Sequence, residues 1–243
     1  MNISLLCPTR GNLRGLRRML DSLNDLTEYP EQVELLLKAD LDDPELPRIK
    51  QLLHSYDTIQ HSLYIEERSE RLIDDYYNWL AARAKGALIM AYNDTARMLT
   101  PGWDHRLMEA ARGHAYALIA TRDTTRGKQR FPCFPVLTRP LMEAIGSFFF
   151  PGVRMWGSDG LLWQFCRDAQ LVVPCPEVMI EHVHDQSPER AAKNKRYTEA
   201  FNADCKSGVL PYDCTRYLMK LYRMSVVKER YIKGVDLANG GAA

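Results

Sequence analysis

The sequence predicts an α/β protein whose mostly parallel sheet is flanked by helices, and three observations predict it. Over the first 120 residues, short apolar runs alternate with segments of helical period. A polar loop, Asn93-Asp94-Thr95, directly follows the apolar run Ala87 to Tyr92, at the strand end where open α/β sheets collect their ligands. Neither an internal repeat nor a Gly-, Pro- or Ser-rich linker divides the 243 residues, so a single core is expected.

The elements follow in order. Ile3 to Cys7 reads as a buried strand, broken by Pro8-Thr9-Arg10-Gly11. Leu13, Leu16, Leu20, Leu23 and Leu26 then recur at helical spacing. Val33 to Ala39 is a second strand and Asp40 to Pro44 an acidic loop. Leu46, Ile49, Leu52, Leu53 and Tyr56 mark a second helix opened by prolines. After a short strand near Leu63 to Ile65, the face formed by Leu72, Ile73, Tyr76 and Leu80 predicts a third helix over Ser69 to Ala84, stopped at Gly86. A helix from about Asp104 leads to a strand over Ala115 to Ala120.

In the second half, Thr121 to Arg130 is a polar loop, and Pro135 within Cys133 to Thr138 points to an edge strand. Leu141 to Ile145 makes a short helix, Phe148 to Phe150 an aromatic patch, and Leu161 to Cys166 a helix opened by Gly157-Ser158-Asp159. Val178 to His184 is the expected last strand, with Val178, Ile180, His182 and His184 on one face. The expected division is a catalytic unit over 1–187 and a basic helical extension over 188–243, frayed from about 234.

Composition narrows the class. An apolar share of 46%, a charged share of 26% and a formal net charge of +1 are those of an ordinary cytosolic globular protein and name no partner. No apolar run reaches the roughly 20 residues that cross a bilayer, and the opening residues lack an export signal, so a cytoplasmic protein is expected. The six cysteines show no CxxC pair and are read as reduced thiols.

Several residues can carry chemistry. Asp40, Asp42 and Asp43 crowd one loop, where like charges need a cation or hydrogen-bond donors beside them. The carboxylate of Asp94 can bind a hard divalent cation that bridges a diphosphate, although an Asn-Asp pair also closes strands as an Asx turn. His182 and His184 can supply a metal ligand and a phosphate donor, or can be core histidines; their spacing is not that of an HExxH zinc site. Asp159 at a helix start can cap it, or deprotonate an acceptor hydroxyl beside the flat apolar ring of Trp156. The C-terminal 181–233 stretch holds 11 Lys or Arg against 7 Asp or Glu, with Lys193, Lys195 and Arg196 close together, which suits a polyanion or a solvated helix face.

Taken in order, these pieces resemble the GT-A (Rossmann-like) glycosyltransferases of the family-2 type, particularly compact bacterial and phage members, over roughly Ile3 to His184. Pro8-Thr9-Arg10 resembles the first-strand loop that meets the nucleotide, and Asp40 the acid that reads its base. Asn78 to Gly86 looks like the helix that runs into Ala-x-Gly before the metal strand. Tyr92-Asn93-Asp94 with Pro101-Gly102-Trp103-Asp104 is similar to the DxD strand and its downstream Pro-Gly-Trp. Gly157-Ser158-Asp159 stands where inverting members carry their base, and Glu181-His182-Val183-His184 resembles the late histidine of the metal shell. Tyr92 replaces the first acid of DxD, leaving Asp94 alone, and Ser158 replaces the acid that commonly precedes the base.

The resemblance implies a hexosyl- or pentosyltransferase that uses a nucleotide-diphosphate sugar as co-substrate and Mn2+ or Mg2+. Asp159 is the implied base; Pro8, Thr9, Arg10, Asp40, Asn78, Asn93, Asp94 and Trp156 meet the donor; Asp94, His182 and His184 hold the metal. Arg10, Arg122 and Arg126 are candidates for the diphosphate. The acceptor is left open, with a modified nucleic-acid base, a glycan and a protein all compatible and no membrane partner implied. Two alternatives stand beside this reading. A sugar nucleotidyltransferase would carry a Gly-rich basic loop after the first strand, and Pro8-Thr9-Arg10-Gly11-Asn12 is poor in glycine. A non-catalytic nucleotide-sugar or nucleic-acid binding module would leave Tyr92 as the mark of lost catalysis.

Overall fold

The structure is a computed structural model that describes residues 2–124, 132–153 and 157–183, with the isolated helical positions 195 and 199. Eight strands form one sheet in the order β3-β2-β1-β4-β7-β6-β8-β5. They are β1 (Ile3–Thr9), β2 (Val33–Asp40), β3 (Gln60–Glu66), β4 (Leu88–Ala91), β5 (Ala96–Met98), β6 (Leu118–Asp123), β7 (Val136–Thr138) and β8 (Val172–His182). The first four pair in parallel, as do β6 and β8, whereas β7 runs antiparallel to both β4 and β6 and β5 antiparallel to β8. The expected mostly parallel α/β sheet is present.

Apolar side chains fill both faces, which is why the strands read as solid apolar runs. On one face Ile3, Leu5, Cys7, Val33, Leu35, Leu37, Met90 and Tyr92 pack against α1 (Leu13–Leu26), α2 (Leu46–Leu53) and α4 (Trp103–Ala111). On the other, Leu6, Leu36, Ile89, Ala91 and Leu137 meet α3 (Trp79–Ala81), α5 (Arg139–Ile145) and α6 (Ser158–Asp168), with Phe148, Phe149 and Phe150 buried among them. The leucine spacing sets α1 to the residue, and Asn12 caps it by accepting from the Gly15 N–H at 3.1 Å.

Four expectations need correction. The helix read over Ser69 to Ala84 is a π-helix over Leu72–Asn78 followed by the single α-helical turn of α3. Apolar periodicity does not register the one-residue insertion that widens a turn. β7 is interior and not an edge strand: Pro135 precedes the paired residues, and its carbonyl still accepts from the Ala91 N–H at 3.1 Å. β5 and the first half of β8 carried no period-two signal. Gly86, read as a helix stop, is a close-approach residue. A Cβ there would lie 2.6 Å from the Ser4 nitrogen and 2.8 Å from the Ile3 carbonyl carbon.

The Pro101-Gly102-Trp103-Asp104 segment has a clear structural job. Trp103 is fully buried and its indole N–H donates to Thr27 Oγ1 at 3.1 Å. Asp104, 2% exposed, accepts from the backbone N–H groups of Glu28 and Tyr29 at 3.0 and 2.8 Å. Together they fasten the turn after α1 to the start of α4. No helix among the described residues is long and apolar enough to cross a membrane. The expected extension over 188–243, its basic cluster and its frayed tail lie outside the described residues apart from the two isolated positions.

Candidate functional site

Because β1, β2, β3, β4, β6 and β8 share one direction and β5 and β7 oppose them, one sheet edge gathers six strand C-termini and the entries to β5 and β7. Thr9, Asp40, Asp94, Asp123, Phe134 and His182 all lie along it. This is the edge at which ligands of open α/β sheets bind.

The loops after β1 and β2 are joined by charge. The Arg10 guanidinium donates to Asp40 Oδ2 at 2.9 Å and to both oxygens of Asp42, the longer contact at 3.1 Å. It holds the Asp42 carboxyl below its ordinary range, chiefly through those hydrogen bonds. The third acid, Asp43, accepts from the Gly11 N–H at 3.0 Å and the Glu45 N–H at 2.9 Å. Like charges thus sit together because Arg10 bridges Asp40 and Asp42 while backbone N–H groups hold Asp43. Asp40 is 2% exposed, and the Tyr76 hydroxyl donates to its other oxygen. Burial, then this bond, pushes the Tyr76 phenol up to about 12.

Asp94 is fixed from two sides. The Thr9 hydroxyl donates to its Oδ2 at 2.8 Å, and the Asn12 amide donates to its backbone carbonyl at 3.2 Å. Gly15 permits this approach of α1, since a Cβ there would lie 2.4 Å from the Asp94 oxygen. Asn93 forms an Asx turn, accepting from Thr95 N–H at 3.0 Å and Thr95 Oγ1 at 2.7 Å. Tyr92 is fully buried beside Phe134, with its phenol raised by desolvation. Directly after β4, it places a core residue where the resemblance expects an acid.

Asp159 is half-buried in the first turn of α6, accepting from the Gly160 N–H at 2.9 Å. The Tyr77 phenol is raised by burial first and then by its electrostatic coupling to Cys7, Asp94 and Asp159. The Tyr77 hydroxyl donates to the Tyr92 carbonyl at 3.0 Å. The two carboxylates expected for metal and base thus both influence one phenol, although 65 residues separate them in the chain. The Asn78 amide exchanges hydrogen bonds with the backbone of Phe149, at 3.0 and 2.9 Å, and fixes the aromatic patch. Pro8 is the penultimate residue of β1, opposite Lys38.

Sequence reading passed over Tyr76, Tyr77 and Lys38. Lys38, 3% exposed, donates to the Asp75 carbonyl and lies 4.3 Å from the Tyr76 ring centre and 5.0 Å from that of Trp79. Desolvation lowers its pKa. A lysine inside an apolar strand run was a usable signal, whereas the tyrosines resemble any core aromatics.

His182 closes β8 opposite Ala96, its ring edge-on to Phe134 at 5.3 Å between centres. With Asp123 and Cys133 it forms the one group of three metal-capable side chains among the described residues, and Asp94 is not a member. Trp156, His184 and Arg126 lie outside the described residues, and Arg122 is exposed on β6.

This curled sheet with helices on both faces is the fold of GT-A-type glycosyltransferases. Among solved structures, the chain is similar to S. aureus TarS 1-349 in complex with UDP (TM-score 0.60, 12% identity, 81% of this chain and 64% of that one). It is similar also to the mannosyltransferase PcManGT from Pyrobaculum calidifontis in complex with GDP-Man and Mn2+ (0.64, 12%, 98% and 80%). GalNAc-T7 with UDP, GalNAc and Mn2+ is a third (0.64, 14%, 97% and 57%). The likeness is one of fold, and the chain spans less than two thirds of the length of the TarS fragment and of GalNAc-T7. No protein-family model matches the sequence, and no curated protein matches it significantly.

Proposed function

We propose that this chain is a glycosyltransferase that moves a hexose or pentose from a nucleotide-diphosphate sugar to an acceptor hydroxyl, with inversion. The observation that carries the reading is Asp94, held by the Thr9 hydroxyl at the ligand-binding edge of the sheet, next to the loop whose Arg10 pairs with Asp40. Three neighbours of the same fold were solved with UDP, with GDP-Man and Mn2+, or with UDP, GalNAc and Mn2+.

In this reading Asp40, oriented by Tyr76 and Arg10, accepts from the donor's nucleoside. Pro8, Thr9, Arg10 and Asn93 border it, and Trp156 is assigned to the sugar face. Asn78 acts indirectly, by fixing the segment at Phe149. Asp159 accepts the proton of the acceptor hydroxyl, whose oxygen attacks the anomeric carbon while the bond to the diphosphate breaks. Tyr77, its phenol kept neutral by its surroundings, holds the Tyr92 carbonyl at the start of the Asp94 loop.

A hard cation of the Mn2+ or Mg2+ kind is commonly bound by one or two carboxylates together with substrate phosphates, so the single Asp94 meets that minimum, with His184 as the proposed second ligand. Such an ion would offset charge on the departing diphosphate. His182, expected on the same ion, is assigned differently below. The division into a catalytic unit over 1–187 and a basic extension over 188–243 belongs to the proposal. So does an acceptor that is a modified nucleic-acid base or a glycan.

A thermal-shift panel of nucleoside diphosphates and their sugars, with and without Mn2+, tests the donor site, because a ligand of the folded state raises its apparent stability. One nucleotide should shift the midpoint, and Mn2+ should enlarge the shift. Absence of any shift would overturn the donor site. Asp159→Ala should keep that shift and lose donor turnover by about 10²- to 10⁴-fold; unchanged turnover would remove Asp159 from the role of base.

A further inference from the structure

The structure assigns a second, chemically different metal site to the three side chains Asp123, Cys133 and His182, one that takes a borderline divalent ion of the Zn2+ type. Their ligand atoms all lie within 4.8 Å of one another. They come from three segments of the sheet edge: Asp123 ends β6, Cys133 precedes β7 by three residues, and His182 ends β8. All three are neither fully buried nor exposed, so an ion can enter while bulk water is largely kept from the ligand atoms.

The backbone is arranged to bring these residues together. The β6–β8 pairing shifts register between Ala120 and Arg122, the kind of irregularity that re-aims the side chains following it. Beyond the shift Asp123 sits opposite Ile180, two residues before His182, and the Thr124 N–H donates to the Ile180 carbonyl at 3.2 Å. The Thr121 hydroxyl donates to the Phe134 carbonyl at 3.3 Å, tying β6 to the residue after Cys133. Phe134 also lies edge-on to the His182 ring at 5.3 Å and limits its rotation. Each ligand is thus positioned by a contact of its own neighbourhood.

The donor set selects the metal. A thiolate, an imidazole and a carboxylate make three ligands of a tetrahedral Zn2+ site with one position left for water or another ligand, whereas Mg2+ and Ca2+ prefer oxygen alone. Zinc bonds of roughly 2.0–2.3 Å place tetrahedral ligand atoms some 3.3–3.8 Å apart, so the site closes on an ion by about 1 Å of side-chain movement. Binding releases the thiol proton of Cys133 to solvent. The site goes beyond the proposed transferase reaction and uses other side chains: the hard cation is assigned to Asp94 and His184, this softer ion to Asp123, Cys133 and His182.

Cobalt titration of the full metal-stripped chain tests this directly, since Co2+ replaces Zn2+ and reports thiolate ligation by a charge-transfer band. One equivalent of Co2+ should produce that band together with the intense visible bands of a tetrahedral ion, and Zn2+ should abolish both. Cys133→Ser should remove the charge-transfer band, while Cys166→Ser, far from the site on α6, should retain it. Asp123→Asn keeps the thiolate and should weaken binding by more than the ten- to hundredfold that losing an outer-shell partner costs. Nucleotide-induced thermal shifts should persist in Cys133→Ser, which separates failure of this site from failure of the donor site. No band in the wild-type chain, or an equal band in Cys133→Ser, would overturn the assignment.

Discussion

The hydroxyl of Thr9 donates to Oδ2 of Asp94 at 2.8 Å, joining the C-terminal ends of β1 and β4 across 85 residues of sequence. Both residues are at least nine-tenths buried, so the carboxylate has little water to fall back on. Thr9→Val should destabilise the fold by about 1–3 kcal/mol, read from urea denaturation. Thr9→Ser, which keeps the hydroxyl, should recover much of that loss. The valine variant should also weaken the Mn2+-dependent part of any nucleotide shift.

The Tyr76 phenol, raised to about 12 by burial and its bond to Asp40, makes stability fall at alkaline pH. The unfolded chain releases this proton near its ordinary value of about 10, while the folded chain retains it. Stability contributed by the neutral phenol is therefore complete below about pH 10 and is lost as pH rises towards 12. Tyr76→Phe should flatten that limb in denaturation midpoints measured from neutral to alkaline pH, against a lower starting stability.

Gly86→Ala forces a Cβ against the backbone of Ile3 and Ser4, where no flexible side chain can yield. The expected cost is about 1–3 kcal/mol, the usual price of an overpacked site. Gly113→Ala, where a Cβ meets nothing within 4 Å but φ is +77°, provides the comparison. Its loss should arise from backbone strain alone. Thermal midpoints of the two variants measure the difference.

Asp104→Ala removes the acceptor for two backbone N–H groups at the turn after α1, and about 2 kcal/mol should be lost. Because Trp103 and Thr27 remain bonded, hydrogen exchange should quicken at Glu28 and Tyr29 before it quickens elsewhere in α1.

Much of this architecture was legible from local patterns. The leucines of α1 and the apolar run of β2 mark those elements because each depends on its own residues. β5 was missed because three residues, Ala96–Met98, become a strand only by pairing with β8 far along the chain. β7 was misplaced for the same reason, since Pro135 limits its own nitrogen but says nothing about neighbours. At the site, Asp40 and Asp94 were visible as acids after apolar runs. Their fixers, Tyr76 and Thr9, were not distinguishable by type from ordinary core and loop residues. The group at Asp123, Cys133 and His182 required two strand ends and the segment before β7 to be brought together, and spacing along the chain, 10 residues and then 49, carries no metal signature.

The π-helix over Leu72–Asn78 makes three consecutive residues serve three destinations: Tyr76 to Asp40, Tyr77 to the Tyr92 carbonyl, and Asn78 to Phe149. An ordinary α-helix through the same span would need one residue fewer for its turn. For anyone redesigning this scaffold, deletion of one residue from the run would be a deceptive improvement. It would yield a more regular helix whose side chains downstream of the cut are rotated off their partners, trading the arrangement of the edge for local tidiness.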